Sequence, residues 1–109
     1  MAEKRSAHRI AVRLRGCFRS SSTVIEGWVL DLSRLGLFLR AEFLDIPGTT
    51  GSVDLELPDG ESLQLPCEVV RVDTASDRPG MAFRFGALTD DARRPLANFM
   101  IETSYQALR

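Results

Sequence analysis

The stretch Ala11-Val-Arg-Leu-Arg-Gly-Cys-Phe-Arg19 decides the fold, because its residues alternate without a break. Val12, Leu14, Gly16 and Phe18 fall on one side, and Arg13, Arg15, Cys17 and Arg19 on the other. Period two is that of a strand with one face in a core and one in water. Ser20-Ser-Ser22 reads as a turn, and Thr23 to Ser33 is a second strand rich in β-branched and aromatic residues, with Trp28, Leu30 and Leu32 in phase. Trp28 shares the phase of Leu30 and is therefore expected in the core. Asp31 and Ser33 fall on the opposite face, held rigidly by the leucines between and before them.

The same logic carries on downstream. Leu35 to Ala41 is apolar, and Asp45-Ile-Pro-Gly48 through Gly51 is a loop. Val53, Leu55 and Leu57 alternate with Asp54 and Glu56, and Pro58-Asp59-Gly60 is a strong turn signal, so the chain returns as a hairpin from Glu61 to Thr74. Pro66 interrupts that return strand and predicts an edge position or a bulge. Met81, Phe83 and Phe85 mark a last strand after Ser76-Asp-Arg-Pro-Gly80. Six short strands separated by turns suggest a barrel or a sandwich. The period then changes: Thr89 with Asp90 and Asp91 opens a helix on which Ala92, Leu96, Phe99, Met100 and Thr103 recur at three and four. Pro95 lies inside it, where it removes a backbone hydrogen bond.

The chain has 109 residues, 44% of them apolar, which suits one compact domain over 1–109: an N-terminal arm over 1–10, strands over 11–86 and a helix over 89–107. No stretch approaches the about 18 apolar residues of a membrane span, and the charged N-terminus has no apolar run behind it. A soluble cytoplasmic protein is expected. Cys17 and Cys67 lack metal-ligand spacing and read as reduced structural thiols. Net charge is −1, but Lys4, Arg5, Arg9, Arg13, Arg15 and Arg19 concentrate positive potential at the front.

Two clusters carry chemistry. Arg5 and Arg9 are four apart, so they point to one side whether the backbone is extended or helical. A guanidinium donates two parallel hydrogen bonds to a phosphate or to the O6 and N7 edge of guanine. Asp31 accepts from the N1–H and N2–H₂ donors of guanine, the Ser33 hydroxyl serves phosphate or base, and Gly36 lets a ligand or the arm approach the backbone closely. Taken alone, Asp-x-Ser-x-x-Gly is also a common turn whose side chains bond local backbone, and Arg-x-x-x-Arg is commonly a solvated face.

Together, in this order, Arg5, Arg9, Asp31, Ser33 and Gly36 resemble the signature of the PilZ domain, Arg-x-x-x-Arg followed downstream by Asp/Asn-x-Ser-x-x-Gly. Ile10-Ala-Val12 and Gly80-Met-Ala-Phe83 are similar to that family too. The resemblance implies a mainly all-β fold, a six-stranded antiparallel barrel with a C-terminal α-helix. It implies a bacterial receptor for cyclic di-GMP, without catalysis and without a further cofactor. The arginine arm wraps the ligand, and the Asp-x-Ser-x-x-Gly segment supplies the opposing wall. Leu35 stands where many members carry glycine, which narrows local backbone freedom. Lys4, preceding the first arginine, adds a phosphate contact and points to a stacked ligand pair. His8 and Arg34 are accessory candidates, although a lone histidine is commonly just solvated.

The leading expectation is a receptor that relays the signal to an unidentified effector protein as the arm becomes ordered, in motility regulation for example. The alternative is an adaptor of the same fold that does not bind the nucleotide. A nucleic-acid-binding barrel fits poorly, because the aromatic residues lie in core phase and net charge is slightly negative. An enzyme fits less well: the sole histidine is on the arm, and no nucleophile–base set or paired carboxylates accompany it.

Overall fold

The computed structural model describes residues 8–74 and 77–107. Its elements are β1 (Ile10–Arg19), β2 (Val24–Leu32), β3 (Gly36–Arg40), β4 (Thr50–Glu56), β5 (Ser62–Asp73), β6 (Gly80–Phe85) and α1 (Asp90–Ala107). The strands close into an antiparallel barrel in the order β1-β2-β3-β6-β5-β4, with β4 returning to β1. This is the expected six-stranded barrel with a C-terminal helix. Closure gives every strand a neighbour on each side, although β1 meets β4 only over Gly16–Arg19 and β5 meets β6 only from Cys67 onward.

β1 behaves as its alternation predicts: Leu14, Gly16 and Phe18 are buried and Arg13, Arg15 and Arg19 are exposed. Phe18 has no exposed surface and its ring tilts against Phe83 at 4.8 Å between centroids. Val53, Leu55 and Leu57 from β4, Leu63, Leu65 and Val69 from β5, and Met81 and Phe83 from β6 fill the rest of the interior. Burying each side chain of this size contributes about 1.5–3 kcal/mol. α1 packs on β5 and β1 and adds Ala92, Leu96 and Met100 to the same core.

The hairpin between β4 and β5 is tied as its sequence predicts. The Gly60 N–H donates to the Leu57 carbonyl at 2.9 Å, the Leu57 N–H to the Glu61 carbonyl at 2.8 Å, and Gly60 takes φ +93°. Both prolines are accommodated by place. Pro66 faces Ser52 of β4, and on its other flank β6 has already ended at Phe85, opposite Cys67. Its carbonyl accepts from the Gly86 N–H at 2.8 Å. It therefore lies just past the end of the β6 ladder, a local edge position as its sequence predicts, and not in a bulge; the irregularity in β5 falls later, between Val69 and Arg71. Pro95 stands inside α1, which begins at Asp90 and continues through it. The N–H it lacks would have met only the carbonyl of Asp91, an exposed residue that water can serve.

β2 corrects the sequence reading. Trp28 is not in the core: its inward neighbours are Ile25 and Val29, and the buried phase resumes at Leu32. Leu30 is the reason. It opposes both Val12 and Arg13 across β1 and is the extra residue against β3, between the pairs Val29↔Leu39 and Asp31↔Phe38. Such a bulge shifts the alternation by one residue. Leu30 is accordingly only half-buried.

Candidate ligand site

The antiparallel register of β1 and β2 sets the site. Ile10 pairs with Leu32 and Ala11 with Asp31, so the residue entering β1 arrives beside the residue leaving β2. Arg9 and Asp31 meet there, with Arg9 Nη1 donating to Asp31 Oδ1 at 2.5 Å. Arg9 of the first cluster and Asp31 of the second, 22 residues apart, thus meet at one point of the barrel. Both side chains are accessible, 57% for Arg9 and 36% for Asp31, so solvent screens the pair and it contributes only about 0.2–1 kcal/mol to stability. Accessibility leaves the other donors of the guanidinium and the second carboxylate oxygen open to a ligand.

Ser33 and Gly36 occupy different roles from those expected. Ser33 does not project beside Asp31: β2 has ended at Leu32, and Ser33 turns inward with 3% of its surface exposed. Its hydroxyl oxygen accepts from the N–H groups of Leu35 at 3.0 Å and Gly36 at 3.2 Å and donates to the Gly36 carbonyl at 3.4 Å. The Ser33 N–H donates to the same carbonyl at 2.9 Å. This is the local turn that the motif also describes. Gly36 packs closely on the neighbouring strand. A Cβ at this position would lie 2.0 Å from the Phe83 carbonyl oxygen of β6, so the glycine permits close strand packing. Ser33 and Gly36 shape the wall from within, while Arg34 and Leu35 are exposed at the tip of the turn.

Arg34 has no ion-pair partner among the described residues, and His8 is exposed beside Arg9. Lys4 and Arg5 lie outside the described residues. Among the described residues no group of three histidine, cysteine or carboxylate side chains could hold a metal ion. Among the described residues no helix is long and apolar enough to cross a membrane. Cys17 and Cys67 are free thiols, and burial pushes Cys67 up to about 12.

One group the sequence reading missed lies on the same outer wall. Arg13 and Arg15 stand over the Trp28 ring, their guanidinium carbons 4.4 and 5.3 Å from its centroid. The outward phase of both arginines was legible in β1; the bulge in β2 hid their partner.

The family model of the PilZ domain matches residues 3–102. The chain belongs to the PilZ domain family. Solved structures agree with the barrel of this PilZ domain. The Bacillus subtilis inhibitor of motility MotI/DgrA superposes with a TM-score of 0.83 at 15% identity, covering 99% of this chain and 55% of that one. YcgR from Escherichia coli, in complex with c-di-GMP, gives 0.81 at 16% identity, covering 96% and 48%. The PilZ domain of YcgR with c-di-GMP gives 0.78 at 14% identity, covering 96% and 95%. The chain thus spans about half the length of the first two. At these identities the likeness is one of fold. No curated protein matches in sequence.

Proposed function

We propose that the chain is a receptor for cyclic di-GMP that relays the signal to an effector protein through ordering of its N-terminal arm. The observation that carries this reading is the Arg9–Asp31 contact, which sets Arg9 against the acidic end of β2. Membership of the PilZ family supports it, as does the c-di-GMP found with the similarly folded YcgR.

In this reading Arg5 and Arg9 donate forked hydrogen bonds to the phosphates or guanine edges, and Lys4 adds charge. Asp31 accepts from a guanine Watson–Crick edge, with Arg9 fixing its orientation. Ser33 and Gly36 contribute by holding the wall in shape, and His8 and Arg34 flank it. The ligand carries two phosphates, so the ordered arm is favoured by whatever free energy it gains over the open one. No bond is made or broken: the protein is a receptor rather than an enzyme. The ligand places it in the cytoplasm, and the similarity to an inhibitor of motility suggests motility control.

Calorimetric titration with cyclic di-GMP, using cyclic di-AMP and GTP as controls, tests the proposal. Arg5→Ala, Arg9→Ala and Asp31→Ala each remove charge-assisted contacts of about 1.5–3 kcal/mol, so affinity falls about tenfold to over a hundredfold. Unchanged affinity in all three variants would sink it. A wild-type protein that takes up no nucleotide at micromolar concentration would leave the adaptor as the reading.

A further inference from the structure

The outer wall of β1, β2 and β3 carries a cluster that has no part in the proposed nucleotide site. Trp28 is the sole tryptophan of the chain. It faces outward, opposite Arg15 of β1 and Arg40 of β3, with Arg13 and Arg15 lying over its ring. Among the described residues Arg13 and Arg40 have no ion-pair partner, and Arg15 reaches only Glu26, at 3.9 Å. The indole holds planar cations in place by cation–π attraction, so less side-chain freedom is lost when they meet an anion. Beside them runs an open groove of about 530 Å³ whose lining mixes the apolar Trp28, Ala41, Phe43 and Pro79 with charged side chains of both signs. Phe43 is 75% exposed. Tryptophan and arginine around an exposed groove are among the residue types that dominate protein interfaces.

We infer that this face docks an extended segment of a protein partner presenting an acidic side chain next to an apolar one. The carboxylate meets Arg13, Arg15 and Arg40, and the apolar side chain enters the groove between Trp28 and Phe43. Charge selects this occupant over a nucleic acid. Glu26, Glu42 and Asp77 line the same groove beside Arg15 and Arg40, and the three carboxylates would repel a chain of phosphates that needs an unbroken positive track. A peptide can match alternating signs. At Trp28 β2 is paired on both sides, with Arg15 of β1 and Arg40 of β3, so recognition on this face falls to side chains. The inference rests on the proposed relay only for the purpose of docking. Binding is measured without nucleotide, so its failure is distinguishable from failure of nucleotide binding.

The single tryptophan makes the face its own reporter. Random short peptides displayed on phage are selected on the full chain, and recovered peptides are titrated in while indole fluorescence is followed. Recovered sequences should pair Asp or Glu with a nearby Leu, Ile or Phe and change the Trp28 emission. Affinity should fall about tenfold or more in the Arg13→Ser, Arg40→Ser double variant. That variant should melt as the wild type does, since both side chains are exposed. Recovery of no peptide, peptides without acidic enrichment, or equal binding to the double variant would overturn the inference. So would an oligothymidylate that binds the face as tightly as the peptides.

Discussion

Replacing Gly36 by alanine separates two roles that the motif glycine could play. A Cβ built there lies 2.0 Å from the Phe83 carbonyl oxygen, 3.0 Å from its carbon and 3.3 Å from Arg84 Cα. All three are backbone atoms of β6, and Gly36 is itself in register with Arg84. No rotamer change relieves such a collision, so the start of β3 must lift away from β6. Overpacking by one methyl costs about 1–3 kcal/mol where neighbours adjust. Losing a ladder hydrogen bond adds about 1 kcal/mol, so Gly36→Ala should destabilise the domain by about 2–4 kcal/mol. Each kcal/mol shifts the melting midpoint of a domain this size by about 4–8 °C, which gives a fall of about 8–30 °C. Thermal and urea unfolding followed by circular dichroism, without nucleotide, measures it. A variant that melts within a few degrees of the wild type yet loses nucleotide affinity would refute the reasoning, because the added methyl would then be met by the ligand rather than by β6.

Two further expectations follow from buried groups. Ser33→Ala leaves the Leu35 and Gly36 N–H groups without their acceptor, and since Gly36 is buried the change should cost about 1–3 kcal/mol. The urea midpoint should drop at constant slope, and an unshifted midpoint would show that the turn holds without the hydroxyl. Burial raises the Cys67 thiol from 9.0 to about 12. Below 9 both states keep the proton, whereas between 9 and about 12 the unfolded chain releases it first, so stability declines as pH rises through that window. Urea titrations on either side of pH 9 should show a steeper decline for the wild type than for Cys67→Val; parallel curves would mean that the thiol is not sequestered.

The strands were legible wherever an unbroken alternation ran through them. In β1 and β4 every second residue faces the core, and the turn between β4 and β5 contains the Pro-Asp-Gly sequence its geometry requires. The helix was legible in Ala92, Leu96 and Met100, which all reach the core. Closure was not. Barrel and sandwich share the same strand pattern, and what distinguishes them is the pairing of β1 with β4 and of β3 with β6, contacts between segments far apart in the chain. The roles of Ser33 and Gly36 were hidden for a related reason. A hydroxyl and a bare backbone look alike in sequence whether a ligand or a neighbouring strand occupies them. Here the turn takes the hydroxyl and β6 takes the space.

The misplacement of Trp28 is the more instructive failure, because it has a single cause. In a regular strand, residues three apart point to opposite faces. Trp28 and Asp31 would then be divided by the sheet, with the indole in the core whenever the carboxylate faced water. Leu30 breaks that rule by taking an extra position against β3 and the place of two residues against β1. The shift turns Trp28 outward while Leu32 still seals the interior. Asp31 stays on the outer wall, where Arg9 meets it. One half-buried leucine therefore sets the acidic end of the ligand site and the arginine-stacked indole on the same face of the same two strands. A partner held at Trp28 would lie along the strand from the arm that the nucleotide is proposed to order.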